Sequence, residues 1–318
     1  MKTKHLLLNS AISLGCLITM HAQADTFGSG LNTFTIDFVN IGNAGNGDDL
    51  GAGGGIYSSP FGGVSYEYRV GVTEVPQDWI TKATALGLLN VTAGAWTGNR
   101  PATNITWYEA AAFVNFLNTS TGHHAAYNLN GTATALTLWS SAEAWQAGGE
   151  NLYRHKDSYY FLPSEDEWYK SAFHKNDGVT ANYWDYALGS NNIPTAVASG
   201  TGAGTAVYNL PVGQGPADVD NDGGLSPYGT RGQDGNALEW MESAFDGVND
   251  SPSESRPVRA GYWNVGENEL RSSLHFSFGT GENPAVGLRV ASVAPEPTTF
   301  ALLAFSSLLL AARRRGSA

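Results

Sequence analysis

Residues Thr33-Phe34-Thr35-Ile36-Asp37-Phe38 alternate polar and apolar, which predicts a strand with one face in a core. Tyr66 to Val72 predicts a second strand. Between them, GNAGNGDDLGAGGG predicts a loop. Its glycines do not form a strand, G-x-G-x-x-G, helix arrangement, so they are no dinucleotide fingerprint. Pro76 suits the first turn of a helix that continues through Trp79, Ile80 and Ala83. Thr106 with Glu109 forms a capping box, and Ala110, Phe113, Val114 and Leu117 fall at i, i+3, i+4 and i+7, so one face of that helix is buried. Ser164 with Glu167 repeats the device, opening a helix through Trp168, Ala172 and Phe173 that is expected to stop near Gly178. Long polar, glycine-rich connections surround these helices, notably Gly189 to Gly224, and connections of that length are usually functional or held by a ligand.

The two ends carry another pattern. Residues 1–24 contain Lys2 and Lys4, an apolar run from Leu6 to Ile18, and Ala22-Gln23-Ala24, the small-x-small pattern after which signal peptidase cuts. Export is therefore expected. Cys16 follows Ser13-Leu14-Gly15, a poor lipoprotein box, so ordinary cleavage suits the leader better than lipidation. Phe300 to Ala312 is uncharged, but as a helix it would span only about 20 Å against roughly 30 Å of hydrocarbon. Arg313, Arg314 and Arg315 would remain on the cytoplasmic side of this short transmembrane segment. Pro295-Glu296-Pro297, an apolar stretch and an arginine cluster, in that order, resemble the PEP-CTERM sorting tail of Gram-negative bacteria. The resemblance implies that an exosortase processes residues 293–318 at the membrane, leaving the protein at the cell surface or secreted. A plain C-terminal anchor is the alternative, and the span is short for that task.

Of 318 residues, 42% are hydrophobic and 14% charged, enough for one sizeable core. The 39 glycines exceed the average share and agree with abundant loops. Formal charge is -12, from 17 basic and 29 acidic residues; without Lys2, Lys4 and the three tail arginines, 12 basic residues face 29 acidic ones. Such a surface repels phosphate backbones, so nucleic acid is not an expected partner. The only cysteine, Cys16, lies in the removable leader, so the mature chain is expected to have no thiol. Disulfides, thiolate catalysis and cysteine-held metals fall away together.

Five segments then occur in a recognisable order: Tyr68-Arg69-Val70-Gly71-Val72-Thr73-Glu74-Val75, Asn104-Ile105-Thr106-Trp107-Tyr108-Glu109-Ala110-Ala111, Leu162-Pro163-Ser164-Glu165-Asp166-Glu167-Trp168, Gly235-Asn236-Ala237-Leu238-Glu239-Trp240 and Gly287-Leu288-Arg289-Val290-Ala291. Together they resemble the formylglycine-generating enzyme domain, also called the sulfatase-modifying factor domain, over residues 64–292. The resemblance implies an α+β fold of the C-type lectin kind, rich in irregular loops and often held by calcium. Residues 25–63 would be its N-terminal strand and glycine-rich loop.

By the same resemblance, Glu239 and the carbonyls of Gly235 and Ala237 would bind one calcium ion, although the family's remaining ligand, an Asn or Asp, falls at Gly232. A carboxylate following small residues suits an oxygen cage. The alternation around Glu239 also suits an exposed glutamate on a half-buried strand. Asp218-Val219-Asp220-Asn221-Asp222-Gly223 opens like an EF-hand loop, but its twelfth position is Gly229, so it is not one. Three aspartates so close repel unless a cation or water separates them. Asn209, Leu210 and Asp222 are the counterparts the resemblance implies for another calcium ion, with the family's aromatic carbonyl position at Gly224. A solvated acidic turn is the alternative.

The family's oxidase chemistry uses a copper-binding cysteine pair, yet Ala260 to Arg271 reads AGYWNVGENELR, and Val290 takes the cysteine position of the closing Gly-Phe-Arg-Cys-Ala. No copper is expected. The histidines form neither H-E-x-x-H nor H-x-x-x-H-x-E, and no G-x-S-x-G elbow occurs. Glu165, Asp166 and Glu167 suit a helix start better than an acid/base pair. Trp240, Tyr262, Trp263, His275, Phe276 and Phe278 can stack on sugars or peptides, with core filling as the plainer reading. The expected function is a non-catalytic exported module for an extracellular glycan or surface protein. An oxidase with non-thiol ligands and a structural polymer-associated protein are the competing classes.

Overall fold

The computed structural model describes residues 23–51, 60–88, 91 and 94–295. The leader's apolar run, the end of the glycine-rich run and the tail beyond Pro295 lie outside the described residues.

Strand β1 (Gln23–Phe27) begins two residues before the expected mature start at Asp25. Strand β2 (Phe34–Ile41) buries Phe34, Ile36, Phe38 and Ile41 and leaves Thr35 and Asp37 exposed, as the alternation predicts, and runs three residues beyond Phe38. After β3 (Tyr68–Gly71) comes α1 (Gln77–Ala85), with Pro76 as its extended N-cap rather than inside the first turn. Helix α2 (Trp107–Ser120) closes both halves of its capping box: Glu109 N–H donates to Thr106 Oγ1 at 3.0 Å, and Thr106 N–H donates to Glu109 Oε2 at 2.7 Å. Its predicted apolar face is buried throughout.

Short strands follow: β4 (Asn128–Leu129), β5 (Leu136–Thr137), β6 (Ala144–Trp145), β7 (Asn151–His155) and β8 (Tyr160–Phe161). Helix α3 (Glu165–Phe173) also carries a complete capping box, but it ends five residues before Gly178. The cause is tertiary. His174 turns extended with its Nδ1 2.9 Å from Tyr228 Oη, while the N–H groups of Lys175 and Trp184 pair with Asn182 and Phe173 in a turn back along the helix end.

The connection from Gly189 to Gly224 is packed rather than loose. It holds β9 (Thr195–Ala196) and β10 (Thr205–Ala206) and buries Ala206, Val207, Tyr208, Ala217 and Val219. The chain finishes with β11 (Leu238–Trp240), β12 (Arg256–Arg259), β13 (Phe276–Phe278), β14 (Val286–Leu288) and β15 (Ala291–Val293).

Two larger sheets result, the first antiparallel throughout and the second mixed. One sheet has the order β1-β2-β3-β15-β8, and the other β13-β12-β11-β14, with β11 and β14 parallel. Phe34, Phe38, Trp107, Phe113, Tyr160 and Trp240 belong to one core that joins them with α2. This is a mixed α+β fold with few helices and many short strands and loops.

Candidate functional site

Strand β11 delivers Glu239 into the interior, where it is 0% exposed, so it is not a surface glutamate. Arg289, just after β14, meets it side on: Nη2 lies 2.6 Å from Oε1 and Nε 3.0 Å from Oε2. Trp168 Nε1 donates to Oε2 at 2.6 Å. The same guanidinium donates to the carbonyls of Gly71, Val72 and Arg231, tying β3 and the 231 loop to β11. Burial alone would lower the Arg289 pKa; Glu239 outweighs it and holds the group charged.

Beside this pair lie Glu74 and Asp222. Glu74 accepts from Ala237 N–H at 3.0 Å and from Asn236 Nδ2 at 2.7 Å. Asp222 Oδ1 is buried without a hydrogen bond, 3.8 Å from Arg231 Nε. Burial pushes both carboxyls above their ordinary range, and for Glu74 the neighbouring Asp222 adds to it. Gly232 explains the arrangement. A Cβ there would stand 2.5 Å from Asp222 Oδ2, so Asp222 fills the space beside the position where the resemblance puts a further ligand. Gly235 is equally constrained, with φ +103 and a would-be Cβ 2.3 Å from the Val207 carbonyl oxygen.

The implied calcium residues therefore divide. Glu239, Asp222, Gly235 and Ala237 surround one polar hub. Asp218 and Asp220 are exposed. Asn209 and Leu210 are tied by their N–H groups to Val265 and Trp263, and the Leu210 carbonyl accepts from Asn264. At Glu239 the residues do not fit a calcium ion, because Arg289 and Trp168 already use both carboxylate oxygens. Asp222, with an unbonded buried oxygen, fits one better. Among the described residues, no three His, Cys, Asp or Glu side chains are arranged to hold a metal ion.

A second feature, not anticipated from sequence, opens at the start of α3. The β6–β7 hairpin shifts register between Ala144 and Trp145 and places Trp145 against Tyr66, with ring centroids 5.7 Å apart. Two adjoining cavities of about 290 and 430 Å³ share Asp166, Ser243 and Gly247. One is walled by Tyr66, Trp145 and Gly148, the other by Phe61, Phe245 and His275. Beneath them Arg154 pairs with both Glu167 and Glu242, at 2.9 and 2.6 Å. Burial would raise the Glu167 carboxyl, but Arg154 and the Ser164 and Tyr66 donors hold it below the usual range. Arg259 Nε and His275 Nδ1 each lie 2.7 Å from Glu165 Oε1. Asp166 accepts from Gly62 N–H at 2.9 Å, and burial pushes its carboxyl up to about 7.

The family model of the sulfatase-modifying factor enzyme 1-like domain matches residues 76–294. The chain belongs to this family. Among solved structures, this sulfatase-modifying factor-like domain is similar to Treponema denticola variable protein 1, with TM-score 0.57 and 20% identity over 85% of this chain and 99% of that one. It is also similar to CarF, with TM-score 0.54 and 18% identity over 82% and 99%. At such identities the likeness speaks for the fold. No curated protein matches the chain.

In this sulfatase-modifying factor-like domain, the segment where the family's cysteines are expected supplies packing instead. Ala260 and Leu270 are buried, and a Cβ on Gly261 would meet Leu270 Cδ2 at 2.7 Å. These residues offer neither thiol nor imidazole and do not fit a copper site. The expected aromatic surface is also narrower. Trp240 is 0% exposed and donates to the Ile105 carbonyl, so it belongs to the core. Trp263 is nearly buried edge-on to Trp96, and His275 is buried on Glu165. Tyr262, Phe276 and Phe278 remain half-buried.

Proposed function

We propose that this domain is an exported, non-catalytic binding module, carried to the cell surface or released by signal peptidase and exosortase processing. There it would hold a glycan or surface protein. The observation that carries the reading is the chemistry of Ala260 to Arg271, which holds neither thiol nor imidazole and turns Ala260, Trp263 and Leu270 into the interior. Purified protein incubated with copper and a sulfatase-motif peptide is expected to form no aldehyde, and glycan-array or pull-down screens are expected to find a ligand. Aldehyde formation would overturn the reading. Blank screens would favour a structural role.

Calcium is a separate part of the proposal, centred on Asp222 and Glu74 and completed by carbonyl and water oxygens. The unbonded Asp222 oxygen supports it. Chelation is expected to lower the melting temperature, because an ion bound only by the folded state stabilises it. An unchanged melting curve, with no calcium by elemental analysis, removes this part.

A further inference from the structure

We propose that the groove at the start of α3 binds an amino-sugar polymer: a polysaccharide of pyranose rings carrying free ammonium groups. This rests on the binding-module reading and names the ligand class and place. The two cavities adjoin through Asp166, Ser243 and Gly247, so one extended ligand can occupy both. Tyr66 and Trp145 on one side and Phe61 and Phe245 on the other give the walls aromatic surface for sugar rings.

Charge then selects the sugar. Arg154 is committed to Glu167 and Glu242, and Arg259 to Glu165, so neither guanidinium is available to an anionic polymer. Carboxylates are available. Among the described residues the second oxygen of Asp166 has no partner, and Glu150 and Asp246 are exposed on the rim. An ammonium group, with three donors and no acceptor, matches that set. The acidic excess of 29 against 17 over the whole chain steers such a polymer towards the protein.

Hydroxyl groups complete the match. Ser243 Oγ accepts from Glu165 N–H at 2.9 Å and Ser164 Oγ from Glu167 N–H at 3.2 Å. Each serine keeps its own O–H to donate to a ligand oxygen. Oligolysine supplies ammonium groups but no ring faces to lie on the aromatic walls, which favours a sugar over a basic peptide.

The test is calorimetric titration of the secreted protein with glucosamine oligomers, their fully N-acetylated counterparts, cello-oligosaccharides and oligolysine. Glucosamine oligomers are expected to bind at least tenfold more tightly than the other three. Asp166→Asn and Trp145→Ala should each weaken binding about tenfold, as loss of a charged or stacking contact typically does. Their melting temperatures should stay near that of the parent, and Phe276→Ala, outside the groove, should bind normally. Equal binding of acetylated oligomers, or tighter binding of oligolysine, overturns the ligand class. Binding that survives both groove substitutions overturns the location while leaving the module reading intact. Absence of binding to all four ligands overturns this proposal alone, since array and pull-down screens judge the module independently.

Discussion

Arg154 is the residue whose loss should be felt most clearly. Its guanidinium lies 1% exposed between two carboxylates that are themselves fully buried, with Nε 2.9 Å from Glu242 Oε1 and Nη1 3.1 Å from Glu167 Oε1. It also sits 3.6 Å from the centroid of the Phe161 ring. Replacing it by Met keeps most of the apolar stem and strands two buried charges, which costs about 3–5 kcal/mol when one partner of a buried pair is removed. For a chain of this length each kcal/mol shifts Tm by roughly 2–4 °C, so a fall on the order of 10 °C is expected at pH 8. The pH dependence has a definite sign. In the parent, the folded Glu167 pKa is depressed, so its contribution is present above the ordinary carboxylate range and is lost as pH falls through the folded value. In Arg154→Met the stranded carboxylates prefer protons, so the deficit should shrink between pH 8 and pH 5. Urea unfolding followed by tryptophan fluorescence measures both. A gap below about 1 kcal/mol at pH 8, or one that does not narrow on acidification, refutes the account of the pair as the support of the groove.

Asp234 is fully buried, and that burial raises its carboxyl from 3.8 to about 8. The folded state then keeps a proton that the unfolded chain releases near pH 4, so stability falls as pH rises towards 8, by up to ~5 kcal/mol. Asp234→Asn should flatten that part of the pH profile of urea midpoints; an unchanged slope counts against it. Thr106→Ala should cost about 1 kcal/mol by removing one half of the α2 capping box, as read in the same unfolding assay. A neutral result would mean that tertiary packing alone fixes this helix start.

Features set by neighbours in sequence were legible. Both capping boxes involve residues three apart, and the β2 alternation directly encodes which side chains enter the core. The ordered motifs were enough for the fold family. What escaped depends on partners far along the chain. Glu239 is defined by Arg289, Asp222 by Glu74, and the end of α3 by Tyr228. The groove draws on five separated parts of the chain, around residues 61–66, 145–154, 164–166 and 243–249 and at His275, none with a local pattern that announces a cavity. Trp240 shows the same limit: composition cannot tell a core indole from one that greets a ligand, and only the Ile105 carbonyl decides it.

Strand β15 lies between β3 and β8, in the interior of its sheet rather than at a margin. Residues 291–293 must therefore leave the ribosome, and any translocation channel, before that sheet can be completed. Folding on this plan is a late, whole-chain event, and a nascent chain lacking its last segment would present two open β edges.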